Sequence, residues 1–156
     1  MEQVFTDRKG NKVIKPKSRE VLNRISAYGI ARQGNKILLV NPTWKKEFEL
    51  PGGAVENEKI TDGLKREFLE ETGYTIEIIS DSPINTRFTL FYADDIDTFF
   101  ISKLLFFSVK VAGENESSLV NKKEINQSRW YDLEKLNENN TQINTLHLDV
   151  IMMMEK

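Results

Sequence analysis

The sequence contains no cysteine. That excludes disulfide frameworks, thiol nucleophiles and zinc or iron–sulfur sites with Cys ligands. There is one histidine, His147, so one chain cannot assemble a multi-His metal site. An excess of one charge sign is also missing: 22 Lys+Arg face 24 Asp+Glu, a net charge of -2. No basic nucleic-acid footprint is visible at whole-chain level, and the chain is not acidic enough to act as a solvating tail. Apolar runs are short, as at Leu104 to Phe107, whereas a membrane span needs about 20 apolar residues. The opening MEQVFTDRKGNKVIKPKSRE is polar and has no apolar h-region. A cytoplasmic protein is expected, neither secreted through a cleaved signal nor membrane-spanning.

What remains is 156 residues, 39% hydrophobic and 29% charged. That is the balance of a soluble globular chain, with a length of about one domain at roughly 100–200 residues each. We expect a single domain over 1–156, with residues 1–24 as an N-terminal β-hairpin extension. Val4 to Ile14 reads as two short strands around an Asp7–Asn11 turn. Lys15 to Arg24 reads as a surface connection. Ile25 to Ala31 and Lys36 to Asn41 read as a strand pair across the Gln33-Gly34-Asn35 turn. Ile60 to Thr72 is the first clear helix, with Gly73 placed for a left-handed C-cap. Tyr74 to Ile79, Thr86 to Tyr92 and Phe99 to Val111 alternate as strands, the last two facing each other across Ala93–Thr98. After a polar loop at Gly113 to Lys123, Arg129 to Tyr131 is a last short strand. Thr141 is expected to cap a C-terminal helix. Its stripe of Ile143, Leu146, Val150, Ile151 and Met154 should face the core, with Met152–Met154 packed at the core or its edge. His147 lies near that stripe and reads as structural or solvent-facing. Mixed strands and helices in this order predict an α/β fold with a helix on each side of a mixed sheet.

The chemistry is concentrated in Leu50 to Tyr74, LPGGAVENEKITDGLKREFLEETGY. On a helix, Glu67, Glu70 and Glu71 fall within an arc of roughly 100°. Like charges at i,i+3 and i,i+4 destabilise a helix by about 0.2–0.5 kcal/mol per pair. The cluster is therefore unfavourable unless something cationic sits over it. Oxygen-only donors suit Mg²⁺ or Mn²⁺, and a Gly-Gly turn lets backbone approach a ligand closely.

Gly52, five residues, Glu58, seven residues, then Arg66-Glu67-Phe68-Leu69-Glu70-Glu71-Thr72-Gly73-Tyr74 resembles the box of the Nudix hydrolases. That box is Gly-x5-Glu-x7-Arg-Glu-U-x-Glu-Glu-x-Gly-U, with U bulky and apolar. Seven fixed and both bulky positions match. The chain departs in three places. The Gly52 to Glu58 stretch is one residue shorter than the usual Gly-Gly-x-x-Glu-x-Gly-Glu. Tyr74 replaces a branched aliphatic, and Gly63 stands where Ala is common.

The resemblance implies a Nudix-type α/β/α sandwich with the box loop–helix at the active site. It implies water attack on phosphorus in a nucleoside diphosphate linked to X, with Mg²⁺ or Mn²⁺. It also implies that Glu67, Glu70 and Glu71, with a Gly52 or Gly53 carbonyl, hold the metal. Arg66 is expected to pair with and orient Glu70, and Glu58 to be a loop or helix-start residue. The general base is either a box glutamate or Glu124 from the later loop. Tyr28, Trp44, Phe48 and Tyr92 offer faces for a base, with Gly53 near the substrate. The expected partner is a small nucleotide, with no membrane and no nucleic acid beyond a capped RNA end; a homodimer stays open. The alternative is a catalytically idle Nudix module that binds a nucleotide or a protein.

Overall fold

The computed structural model describes residues 2–113, 115–136 and 142–154. β1 (Gln3–Thr6) and β2 (Lys12–Lys15) form the N-terminal hairpin. β3 (Val21–Gln33) begins well before Ile25, so the expected surface connection is already strand from Val21. Parallel pairing with β8 (Thr98–Ala112), from Val21↔Phe99 to Ala31↔Val109, recruits those residues. β4 (Lys36–Pro42) meets β3 only at the hairpin base, Arg32↔Ile37 and Gln33↔Lys36. It then peels away and pairs along its length with β9 (Ile125–Asp132), which is longer than the short strand expected there. β5 (Gly52–Ala54) takes the vacated edge of β3. β6 (Thr75–Ile78) and β7 (Asn85–Ala93) both pair with β8. The path through the mixed sheet is β2-β1-β7-β8-β3-β4-β9.

Strand alternation sends β8 side chains to two cores. Leu105, Phe107 and Val109 meet Leu64 and Phe68 of α1 (Ile60–Thr72). Leu104 and Phe106 meet Val150 and Ile151 of α2 (Thr145–Met154). This is the α/β/α sandwich, and α1 ends at Gly73 in the left-handed conformation (φ 77°).

Thr141 lies outside the described residues. The cap of α2 is Asn144, whose Oδ1 accepts the N–H groups of Leu146 and His147 at 3.0 and 3.1 Å. Ile143 precedes the helix yet is buried in the same core. Met152 is half-buried and Met153 and Met154 are exposed, so the methionine run covers less core than expected.

Candidate active site

The site forms where β4 parts from β3 and β5 takes its place. β5 lays Gly52 opposite Tyr28 and Gly53 opposite Ala27. A Cβ on Gly52 would stand 2.1 Å from the Ala27 carbonyl oxygen and 2.7 Å from the Tyr28 Cα, and its φ is 148°. No side chain fits there. Gly52→Ala is expected to destabilise the protein by about 3 kcal/mol or more, through strain and overpacking together. A denaturant titration of the two proteins measures it.

The turn also meets α1. The Gly52 N–H donates to Glu71 Oε1 at 2.8 Å. A Cβ on Gly53 would lie 3.0 Å from Glu67 Oε2, so that carboxylate rests against bare backbone. Burial pushes the Glu67 carboxyl up to about 7; Arg66 opposes the shift, and Glu70 and Glu124 add to it. Burial also holds the half-buried Glu71 carboxyl well above its ordinary range. The Gly52 N–H opposes this, and Glu49, Glu67 and Glu124 reinforce it.

Arg66 does not have Glu70 as its main partner. Its Nη2 lies 2.6 Å from Glu58 Oε1 and its Nε 3.2 Å from both Glu58 oxygens. Nη1 then reaches Glu67 at 3.0 Å and Glu70 at only 3.6 Å. Glu58 is thus a loop residue whose task is to fix Arg66, and Arg66 in turn steadies Glu67.

Glu124 comes to the same place from a distant loop. The Asn121 N–H donates to the Glu70 carbonyl at 2.7 Å, and the Thr43 N–H to the Glu124 carbonyl at 2.8 Å. These bonds dock the turn on α1 and on the end of β4, which puts Glu124 within the field felt by Glu67 and Glu71.

Glu49 was not singled out in the sequence. Its charge acts on Glu71 and on Tyr28, and it pairs with Lys45. Its place immediately before Leu50-Pro51-Gly52 was the available signal.

The proposed aromatic faces scatter. Tyr28 stacks on Phe106 at 5.5 Å, within electrostatic reach of Glu49 and Glu71. Trp44 lies under the Arg8 guanidinium of the N-terminal hairpin at 5.7 Å. Phe48 is a core residue, 6% exposed and packed on Tyr131, and so offers no face to a substrate. Tyr92 is opposite Phe99, whereas Tyr28 is opposite Phe106. An odd and an even position on β8 face opposite sides, so Tyr92 sits on the other side of the sheet, donating to Asp97 Oδ1 at 2.6 Å.

His147 is structural. It is buried, and its Nδ1 accepts the Leu50 N–H at 3.0 Å, tying α2 to the segment that leads into Gly52. Burial, then Lys45, lowers its pKa to about 3. The unfolded chain takes up this proton below about pH 6.5, the folded one only near pH 3. His147 therefore favours folding above that range, and the contribution is lost as pH falls from 6.5 toward 3. His147→Phe leaves the Leu50 N–H unpaired and should cost about 1–3 kcal/mol at pH 7.5. His147→Asn keeps an acceptor and should cost less. Both variants should show a flatter acid limb than wild type in urea titrations at pH 7.5 and 5.

A NUDIX domain model matches residues 22–151, so the chain belongs to the NUDIX family, whose hydrolases act on pyrophosphate bonds. No curated protein matches the sequence. Solved structures do share the fold. One is a NUDIX hydrolase from Nitrosomonas europaea, 18% identical, covering 85% of this chain and 88% of its own, with a TM-score of 0.69. A MutT protein from Methanosarcina mazei Go1 is 21% identical, covers 88% and 96%, and has a TM-score of 0.64. An ADP-ribose pyrophosphatase from Streptococcus suis 89-1591 is 17% identical, covers 85% and 92%, and has a TM-score of 0.57.

Among the described residues no three acidic or imidazole groups already stand close enough together to hold an ion. Arg66 and the Gly52 N–H engage oxygens of Glu67 and Glu71 instead. The donor set nevertheless fits a hard divalent cation. Its groups are carboxylates and carbonyls, and the bare backbone of Gly53 lies against Glu67. Glu67 and Glu70 would have to turn from Arg66 to ligate. Among the described residues no helix is long and apolar enough to cross a membrane.

Proposed function

We propose that the chain is a Mg²⁺- or Mn²⁺-dependent pyrophosphohydrolase. Its substrate is a nucleoside diphosphate linked to X, and its products are a nucleoside monophosphate and phosphorylated X. The observation that carries this reading is the placement of Glu67 and Glu71 on Gly53 and Gly52, two half-buried carboxylates that repel each other and Glu124.

Glu67, Glu70 and Glu71, with a carbonyl of the Gly52-Gly53 turn, would hold the metal. When bound it neutralises diphosphate charge and lowers the pKa of a water. Arg66, fixed by Glu58, holds Glu67 while no metal is bound and gives it up when Glu67 turns to ligate. Glu124, whose charge is felt by Glu67 and Glu71, accepts the proton of the attacking water. The water oxygen bonds to phosphorus while the bridging P–O bond breaks, and the bridging oxygen leaves on the departing phosphate. The name of one similar structure, an ADP-ribose pyrophosphatase, supports the reaction class.

The test is mononucleotide release from nucleoside triphosphates, dinucleoside polyphosphates, ADP-ribose, nucleotide sugars, NADH and capped RNA, with Mg²⁺ and with chelator. Hydrolysis of at least one compound only when Mg²⁺ is present supports the reading. Turnover unaffected by excess chelator contradicts it.

A further inference from the structure

On the α2 side of the sheet, β3 continues past Tyr28 to Ser26 and Arg24. Arg24 is half-buried, with its guanidinium stacked on Phe100 at 5.0 Å and on Phe91 at 5.6 Å. It makes no hydrogen bond and no ion pair with any described residue. Arg8, Arg19, Arg66 and Arg87, by contrast, each meet a carboxylate. Arg129 is also stacked and unpaired, but it is exposed and stands on β9, away from this row.

The neighbours of Arg24 are donors too. Register places Ser102 of β8 beside it and Thr89 of β7 beside Ser102. Ser102 is only 4% exposed, and its hydroxyl has no partner among the described residues. Three adjacent strands thus present a guanidinium and two hydroxyls in one row, with aromatic rings beneath the charge. Neither the Arg24 nitrogens nor the two hydroxyls are among the buried polar atoms left without a partner, so an anion arriving from solvent can reach all three groups. A guanidinium flanked by hydroxyls is the donor set that a phosphate dianion satisfies.

We propose that Arg24, with Ser102 and Thr89, binds a second phosphate of the substrate, carried on the ribose of the nucleotide whose anhydride is cleaved. The row lies four residues along β3 from Tyr28, about 13 Å at strand rise. The Arg24 charge is felt at the Tyr28 hydroxyl, so the row and Tyr28 share one electrostatic neighbourhood. This inference rests on the active-site reading above, and it narrows the substrate to ribose-phosphorylated nucleotide derivatives. Arg24 would act in binding and specificity, not in the chemical step.

The test measures binding without turnover. Calorimetry compares 5′-AMP with adenosine 2′,5′-bisphosphate and adenosine 3′,5′-bisphosphate, on wild type, Arg24→Met and Ser102→Ala. The Met variant keeps an apolar cover over Phe91 and Phe100. One bisphosphate should bind wild type about tenfold or more tighter than AMP. Arg24→Met should bind both within about twofold and leave AMP affinity unchanged, with Ser102→Ala intermediate. Equal binding of AMP and both bisphosphates to wild type overturns the proposal, and so does an advantage that survives in Arg24→Met. If Arg24→Met instead loses a preference between 5′-GMP and 5′-AMP, Arg24 reads a base edge and the phosphate role is wrong. Magnesium-dependent hydrolysis of NADH and NADPH by wild type and Arg24→Met is followed in parallel. Loss of all hydrolysis in wild type counts against the hydrolase reading, while the binding comparison still decides the phosphate site.

Discussion

Glu71→Gln should cut hydrolysis by about 10³-fold, the several kcal/mol that a correctly held metal contributes to a transition state. It should do so without unfolding the protein. Gln is isosteric with Glu, and its carbonyl can still accept the Gly52 N–H that Glu71 accepts at 2.8 Å. The wild-type carboxylate is held in place against burial and against Glu49, Glu67 and Glu124. Removing its charge relieves that repulsion in the metal-free protein. In chelator the variant should therefore melt at or slightly above wild type. In excess Mg²⁺ wild type should gain stability by mass action and the variant little. A purely structural Glu71 gives the opposite pattern: its replacement would lower the melt in chelator and spare both activity and the Mg²⁺ response.

Glu124→Gln addresses the proton transfer. A general base contributes about 10²–10⁴-fold to kcat, so kcat should fall by that amount at pH 7.5. Metal affinity should change little, because the turn carrying Glu124 is docked by backbone bonds to Glu70 and Thr43 rather than by its side chain. Single-turnover and steady-state rates with saturating Mg²⁺ measure it. A fall of less than threefold would return the base to the box helix.

Much of this site is legible in the sequence. The spacing from Gly52 to Tyr74 marks the loop and helix, and α1 spans the predicted Ile60–Thr72 with Gly73 as its cap. Periodicity is local, and a helix end with a left-handed glycine is a local event. What the sequence hides is non-local. Arg66 does pair with Glu70 one turn away, at 3.6 Å, but the loop before α1 folds back and makes Glu58 its closer partner, at 2.6 Å. Tyr92 depends on which strand partner it faces, and one position of register parity separates it from the face that carries Tyr28. Phe48 lies between two backbone bonds to the α2 segment, from Phe48 N–H to Gln142 and from Asn144 N–H to the Phe48 carbonyl. That docking draws it into the core. Glu49 and Arg24 carry no motif, and only the parting of β4 from β3 and the row across β3, β8 and β7 give them neighbours that matter.

The central claim is that the carboxylates on the Gly52-Gly53 turn hold a divalent cation. Electron paramagnetic resonance titration with Mn²⁺ tests it on wild type and Glu71→Gln side by side. The account predicts at least one Mn²⁺ bound per wild-type chain, and an affinity weaker by about tenfold or more in the variant. No Mn²⁺ binding by wild type, or equal affinity in the two proteins, would contradict it.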